Sequence, residues 1–452
     1  MTLPASLLSD VETQSVSVDF RAERACELAK HLENKGDYEE ARQALSAYWP
    51  HPGERPLLKD LSQSVAAKVL LRAGVITGTL GGKTQLTDAQ EAAKNLISES
   101  LSAFQSLNDR QQIEEAQVEL ALCYWRTGEV NEARVLLEET FSQLKGDSDV
   151  RCRAIVRLAI VEFEASRLNE ALGLLTTNSS LFQTIDNDTL RGSYHGTLGN
   201  VLESLWEKKQ RSDYLDRALI EYTAASYHFE KVGHRTYLAT VQNNLGFLYF
   251  KINRCQEALD HLDYARRILV SLGDLTAVAQ VDETRAGVLL KQGRPSEAER
   301  AARSSVNTLE KTDRHAVLAE SLITHGRSLA RLGDYNAALS AFQRAIDLAQ
   351  LTGSLNKASE AALAAFQEIG DHLAVRETGT VMSGRTLGEE IQSYEHDLIK
   401  RALENAQGSV THAARNLGIS YQALGYMLET RHKALLTERT PPRRRLRRVQ
   451  AK

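Results

Sequence analysis

Alanine recurs at Ala218, Ala258, Ala298 and Ala338, a spacing of 40 residues kept three times in succession. No single helix or strand has a period that long. It marks a supersecondary unit used repeatedly, which buries its apolar face only against a neighbouring copy. Toward the N-terminus the same small residue returns at Ala41, at Ala92 or Ala93, at Ala133 and at Ala171. Segments 244–265 (NLGFLYFKINRCQEALDHLDYA), 285–305 (RAGVLLKQGRPSEAERAARSS) and 324–345 (THGRSLARLGDYNAALSAFQRA) align on this ruler. Each reads as two amphipathic stretches around a short turn. Small residues let the two stretches cross closely, large ones fill the gap to the next unit, and Gly or Asn in the turn accepts a positive φ.

Composition selects helix over strand. Seven prolines in 452 residues and 6% aromatics, with abundant Ala, Leu and Glu, predict an all-α chain. The expected fold is an α-solenoid of about eight helix hairpins with a period of about 40, followed by a small helix-turn-helix domain. A helix over 354–370 is expected to close the array, with a loop at Thr77–Thr87 and an extension at Glu207–Asp213.

The hairpins resemble the tetratricopeptide repeat. In the last, Gly326, Leu329, Gly333, Tyr335, Ala338, Phe342 and Ala345 fall on its signature positions; in an earlier one Leu245, Gly246, Tyr249, Ala258, Leu262 and Ala265 do so. The resemblance covers roughly 22–350, and similar long-helix arrays occur in bacterial signalling regulators. It implies a concave face lined by first helices that takes a peptide or protein. In register that face presents Arg153, Arg157, Asn200, Asn243, Asn244, Phe247, Lys251, Lys291, Arg327 and Arg331. The amides of Asn243 and Asn244 each offer a donor and an acceptor to an extended backbone, and the basic members favour an acidic ligand or chain terminus. The alternative for each residue is a solvated helix surface.

Near the C-terminus the pattern changes. Ser409 can cap a helix on which Val410, Ala413, Ala414 and Leu417 form one stripe; Gly418 ends it and Ile419 plugs the corner. Ser420 can cap a second helix with Leu424 and Leu428 on one side and Tyr421, Gln422, Gly425 and Tyr426 elsewhere. Two short helices around such a turn make a helix-turn-helix. With Gly408, Thr411 and Ala423, and a preceding helix from about Glu390 to Asn405, the stretch resembles the Fis-type helix-turn-helix of bacterial transcription regulators. Where that family usually carries basic residues, after Ser420 and near Tyr426, this chain has tyrosines.

The resemblance implies double-stranded DNA as a partner, met as a homodimer, since one short module covers little DNA. Gln422 suits adenine, and Tyr421 and Tyr426 reach bases or phosphates. Thr411, His412, Arg415, Arg431 and Lys433 surround them, and Arg443, Arg444, Arg445, Arg447 and Arg448 form a basic arm. Charge agrees. The net −4 divides into 12 Lys/Arg against 7 Asp/Glu over 386–452 and 43 against 52 over the remainder, and within 411–452 the ratio is 10 to 2. The expected domains are an N-terminal segment 1–21, a solenoid with capping helix 22–376, a linker 377–386, the helix-turn-helix domain 387–436 and a basic disordered tail 437–452.

Nothing points to catalysis, a metal or a cofactor. The twelve histidines contain no HExxH, and the four cysteines, Cys26, Cys123, Cys152 and Cys255, contain no CxxC. They read as reduced thiols within helices. GTLGGKT (78–84) looks like a phosphate loop, but Thr77 stands where the motif needs Gly, and the context is helix to helix; a flexible loop is expected. No run of about 18 apolar residues and no secretion signal are visible, so the expected location is cytoplasmic with no membrane partner. The reading is a DNA-binding transcription regulator whose solenoid binds a peptide or protein. Its alternative is a tetratricopeptide scaffold or adaptor whose helix-turn-helix binds no specific DNA.

Overall fold

The computed structural model describes residues 17–51, 54–84, 89–312, 314–353, 355–377, 387–417, 419 and 421–438. Among them there is no strand. Fifteen helices form a first compact unit, 1–311: α1 (Val18–Lys35), α2 (Tyr38–Ala44), α3 (Gln63–Thr84), α4 (Ala89–Ser106), α5 (Arg110–Arg126), α6 (Val130–Gln143), α7 (Asp149–Glu164), α8 (Leu168–Thr177), α9 (Ser179–Thr184), α10 (Asp188–Lys209), α11 (Ser212–Val232), α12 (Arg235–Lys251), α13 (Cys255–Ser271), α14 (Leu275–Lys291) and α15 (Pro295–Leu309). A second unit, 312–452, holds α16 (His315–Arg331), α17 (Tyr335–Leu351), α18 (Leu355–Glu377), α19 (Leu387–Asn405), α20 (Val410–Asn416), α21 (Tyr421–Thr430) and a 3-10 turn, Lys433–Glu438. The first unit is a tetratricopeptide-type α-solenoid of seven hairpins, and the second holds a further hairpin, α16–α17, and a small C-terminal helix-turn-helix.

The alanine ruler marks the hairpin crossings. Ala41, Ala93, Ala133, Ala171, Ala218, Ala258, Ala298 and Ala338 are all fully buried on second helices, and Ala93 rather than Ala92 takes the position in α4. Opposite them the first helices are small too. A Cβ on Gly246 would stand 2.5 Å from Leu262, and one on Gly326 would stand 2.7 Å from Phe342, so the large residue of one helix lies where the other has no side chain. The turns close alike. After α16, Gly333 adopts φ 84° and Asp334 N–H bonds Leu329 O, and Asp334 then caps α17 through Ala337 N–H. After α12, Asn253 takes the same left-handed geometry, at φ 66°.

One expected loop is absent. Thr77–Thr84 belongs to α3, which runs unbroken through GTLGGKT. The glycines serve packing rather than a turn. A Cβ on Gly74 would lie 2.6 Å from Ile97, one on Gly78 3.2 Å from Ala93 and one on Gly81 2.1 Å from Ala89, so α3 and α4 approach along a ridge of missing side chains. Residues 85–88 lie outside the described residues. The expected extension at 207–213 takes the form of two long helices, α10 and α11, of 22 and 21 residues.

Gln63–Gly81 is the one described segment long and apolar enough to cross a membrane, with a mean hydropathy of 1.2, and 72% of it is buried inside the fold. The cysteines are free, and Cys26, Cys123 and Cys152 are buried. Burial pushes their thiols up to about 12, 11 and 11, which keeps them protonated and unreactive.

Candidate functional site

In the C-terminal part, Ser409 caps α20 by accepting from His412 N–H at 3.4 Å. Ala413 and Ala414 of α20, Leu424 and Leu428 of α21, Ile399, Ala402, Leu403 and Ala406 of α19, and Leu435 form one small core, with Ile419 packed against it. Burying Leu424 and Leu428 leaves the other side of α21 in solvent: Tyr421 is 58% and Tyr426 66% exposed, and Gln422 is exposed. A Cβ on Gly425 would meet nothing within 4 Å, so that face stays open along its length. Thr411, His412 and Arg415 on α20 and Arg431 and Lys433 beyond α21 are exposed.

Helix α21 itself carries no Lys or Arg, so positive charge near it comes only from its flanks. One flank is shared. Arg431 Nη1 lies 3.6 Å from Glu395 Oε1, and the buried His432 Nε2 lies 2.9 Å from the other oxygen of that carboxylate. This pins the end of α21 to α19, a contact with no signal in the sequence beyond a lone histidine. Gly418, Ser420, Arg443, Arg444, Arg445, Arg447 and Arg448 lie outside the described residues.

The first unit contains a chamber of about 420 Å³ lined by α1–α3, α5, α7 and α10–α12. It exists because the solenoid's first hairpin meets its fifth and sixth. Thr189 Oγ1 donates to Asn34 O at 2.6 Å, Arg153 reaches Asn34 Oδ1 at 3.3 Å, and a Cβ on Gly36 would stand 2.5 Å from the His234 ring. The His234 ring stacks on Tyr237 at 4.0 Å.

Ion pairs buttress the wall. Glu119 accepts from Arg153 at 2.9 Å and from Arg157 at 2.7 Å; Arg72 donates to Glu33 and to Glu115 at 2.6 Å, and Lys30 donates to Glu115 at 2.6 Å. Burial alone raises a carboxyl, but at Glu119 the two arginines outweigh it and hold the group well below the usual carboxylate range. At Glu33 burial wins, and the carboxyl is pushed up to about 7.

Of the residues expected to form the groove, Arg153, Arg157, Asn200 and Asn244 line this chamber. They are already engaged. The arginines hold Glu119, and Asn244 donates to Asn200 Oδ1 at 3.1 Å. Asn243, Phe247, Lys251 and Lys291 are not among the lining residues. Lys251 lies over Phe247 and bonds Glu207, and Lys291 reaches Phe250 O. Arg327 and Arg331 belong to the second unit, where Arg331 forks onto Glu368. Tyr38, Trp125, Arg126 and His234 line the chamber without having been singled out in the sequence, because hairpins far apart in the chain bring them together.

Residues 276–350 match the tetratricopeptide repeat family, and 391–429 match the Fis family of bacterial regulatory proteins. No curated protein matches the chain by sequence. Among solved structures, a Rap protein complexed with competence and sporulation factor is 14% identical, with a TM-score of 0.49 over 79% of this chain and 98% of that one. The apo quorum sensor NprR from B. thuringiensis is 12% identical, with a TM-score of 0.49 over 76% and 91%. BtubC from P. vanneervenii is 17% identical, with a TM-score of 0.40 over 53% and 92%. The two family matches, each lying on the element its motif describes, identify the chain as a tetratricopeptide-repeat array joined to a C-terminal Fis-type helix-turn-helix.

Proposed function

We propose that the chain is a DNA-binding transcription regulator that acts as a dimer and whose solenoid takes a peptide or protein partner. The observation that carries the DNA half is the two-faced α21. Leu424 and Leu428 seat it in the core while Tyr421, Gln422 and Tyr426 stay exposed, with Arg415 and Lys433 exposed on the neighbouring elements. A helix so held reaches base edges in a major groove, Gln422 pairing with adenine and the tyrosines reaching bases or phosphates. With no cation on α21, phosphate affinity falls to Thr411, His412, Arg415, Arg431, Lys433 and the arginines of 443–448. The solenoid half is supported by the chamber of the first unit, which Arg153, Arg157, Asn200 and Asn244 line.

Duplex binding by the intact chain, followed against salt, tests this reading. The expected log–log slope is about −0.9 per phosphate contacted, with binding lost on deletion of 387–452. A selection from random duplexes is expected to enrich one sequence. Binding that survives the deletion, or a selection that enriches nothing, removes the regulator and leaves the scaffold.

A further inference from the structure

The chamber wall is short of negative charge. Around it Glu33, Glu115 and Glu119 face Lys30, Arg72, Arg153 and Arg157, which are tied together as described. Arg126, at the end of α5, is a further cation on the lining, half-buried. Among the described residues it has no hydrogen bond or ion pair, and its Nη1 stands 3.4 Å from where a Cβ on Gly78 would be. Independently, Glu33 Oε1 has no hydrogen-bond partner among the described residues, although that residue is only 7% exposed and lines the same space. A buried oxygen left unpaired on a residue that lines a cavity points to a polar group that would meet it there. The remaining wall is largely apolar: Val75, Leu122, Trp125, Val156 and Ile160. The volume falls within the usual range for small-molecule sites.

We infer that this chamber holds a small amphipathic carboxylate, its anion against Arg126 and its apolar body against Trp125, Val75 and Ile160. A single guanidinium presents the planar fork that matches a carboxylate with two parallel bonds. In a poorly solvated space, an uncompensated cation favours an anion over any neutral ligand of equal shape. Protonated, Glu33 offers a donor to the carboxylate's second lone pairs; burial holds its proton on up to about neutral pH. A cationic ligand meets the opposite balance, because both wall carboxylates already have arginine partners. Two sources supply this chemistry, a free organic acid and the terminal carboxylate of a short apolar peptide. The inference deepens the proposal that the solenoid takes a ligand and rests on it.

Titration calorimetry on the full chain tests it with phenylbutyrate, its uncharged amide, and an apolar tripeptide in free-acid and C-amidated forms. Phenylbutyrate is expected to bind at least tenfold more tightly than the amide. Arg126→Leu is expected to erase that preference without moving the thermal midpoint, and Arg126→Lys to keep part of it. Equal binding of acid and amide, no binding of either, or a preference that survives Arg126→Leu overturns the site. If the free-acid tripeptide displaces phenylbutyrate and its amidated form does not, the carboxylate is a chain terminus; if neither displaces it, the ligand is a free acid. A chain that binds duplexes through 387–452 but shows no acid preference loses this inference alone.

Discussion

Tyr222 shows how much one buried hydroxyl decides. It sits 2.8 Å from Asn200 Oδ1 and 2.6 Å from Glu203 Oε2, but has one proton to donate. Both contacts are satisfied at once when Glu203 keeps its own proton, and burial pushes that carboxyl up to about 7 against the pull of the Tyr222 bond. The sign of the pH effect follows. The unfolded carboxyl ionises near 4.5 and the folded one near 7, so the folded state binds the extra proton between those values. Glu203 therefore favours folding below pH 4.5, and that contribution declines as pH rises to 7. Replacing Glu203 with Gln keeps the shape and removes the charge. The stability of Glu203→Gln relative to the natural chain is expected to improve by about 2 kcal/mol between pH 5 and pH 8, read from urea unfolding at the two values. A constant difference across that range would show that Glu203 ionises normally in the fold.

At the scale of elements, α3 is the clearest case of tertiary context overriding local pattern. The glycines of GTLGGKT and its upstream turn read locally as a breaker, in a stretch that resembles a phosphate loop but for Thr77. In the structure Gly74, Gly78 and Gly81 form the contact ridge against Ile97, Ala93 and Ala89, where an added Cβ is crowded at Gly78 and overlaps its neighbour at the other two. Gly78→Val should overpack this crossing, lowering stability by roughly 1–3 kcal/mol in thermal unfolding. Added ATP is expected to leave the melting of the natural chain unchanged, and a rise in its melting point on adding nucleotide would overturn the rejection of a phosphate loop. By contrast, α20 and α21 were legible because their apolar spacing is local. Val410, Ala413, Ala414 and Leu417 share one face, and so do Leu424 and Leu428, whatever the rest of the chain does. The His432–Glu395 pin was not, since it joins residues 37 apart through a core that has to form first.

At the scale of the whole molecule, closure of the first solenoid turn rests on Gly36. Its φ of 82° disfavours a side chain, and the His234 ring occupies the place a Cβ would take. Gly36→Ala is expected to cost about 2 kcal/mol from backbone strain and the displaced ring together, and to weaken phenylbutyrate binding by loosening the wall. An unchanged melting curve would mean that the hairpins meet without this contact. Spacing alone carries the repeat, its helical hairpins, the buried alanine of seven of the eight crossings and the second helix of the helix-turn-helix, because each depends on residues within about 40 positions. Packing, not spacing, commits Arg153 and Arg157 to Glu119 and sets Glu33 and Arg126 on one chamber. The arginine pairs are a choice of side-chain partner between neighbouring hairpins that the spacing leaves open, and the chamber depends on curvature summed over successive hairpins, which brings residues more than a hundred positions apart into contact.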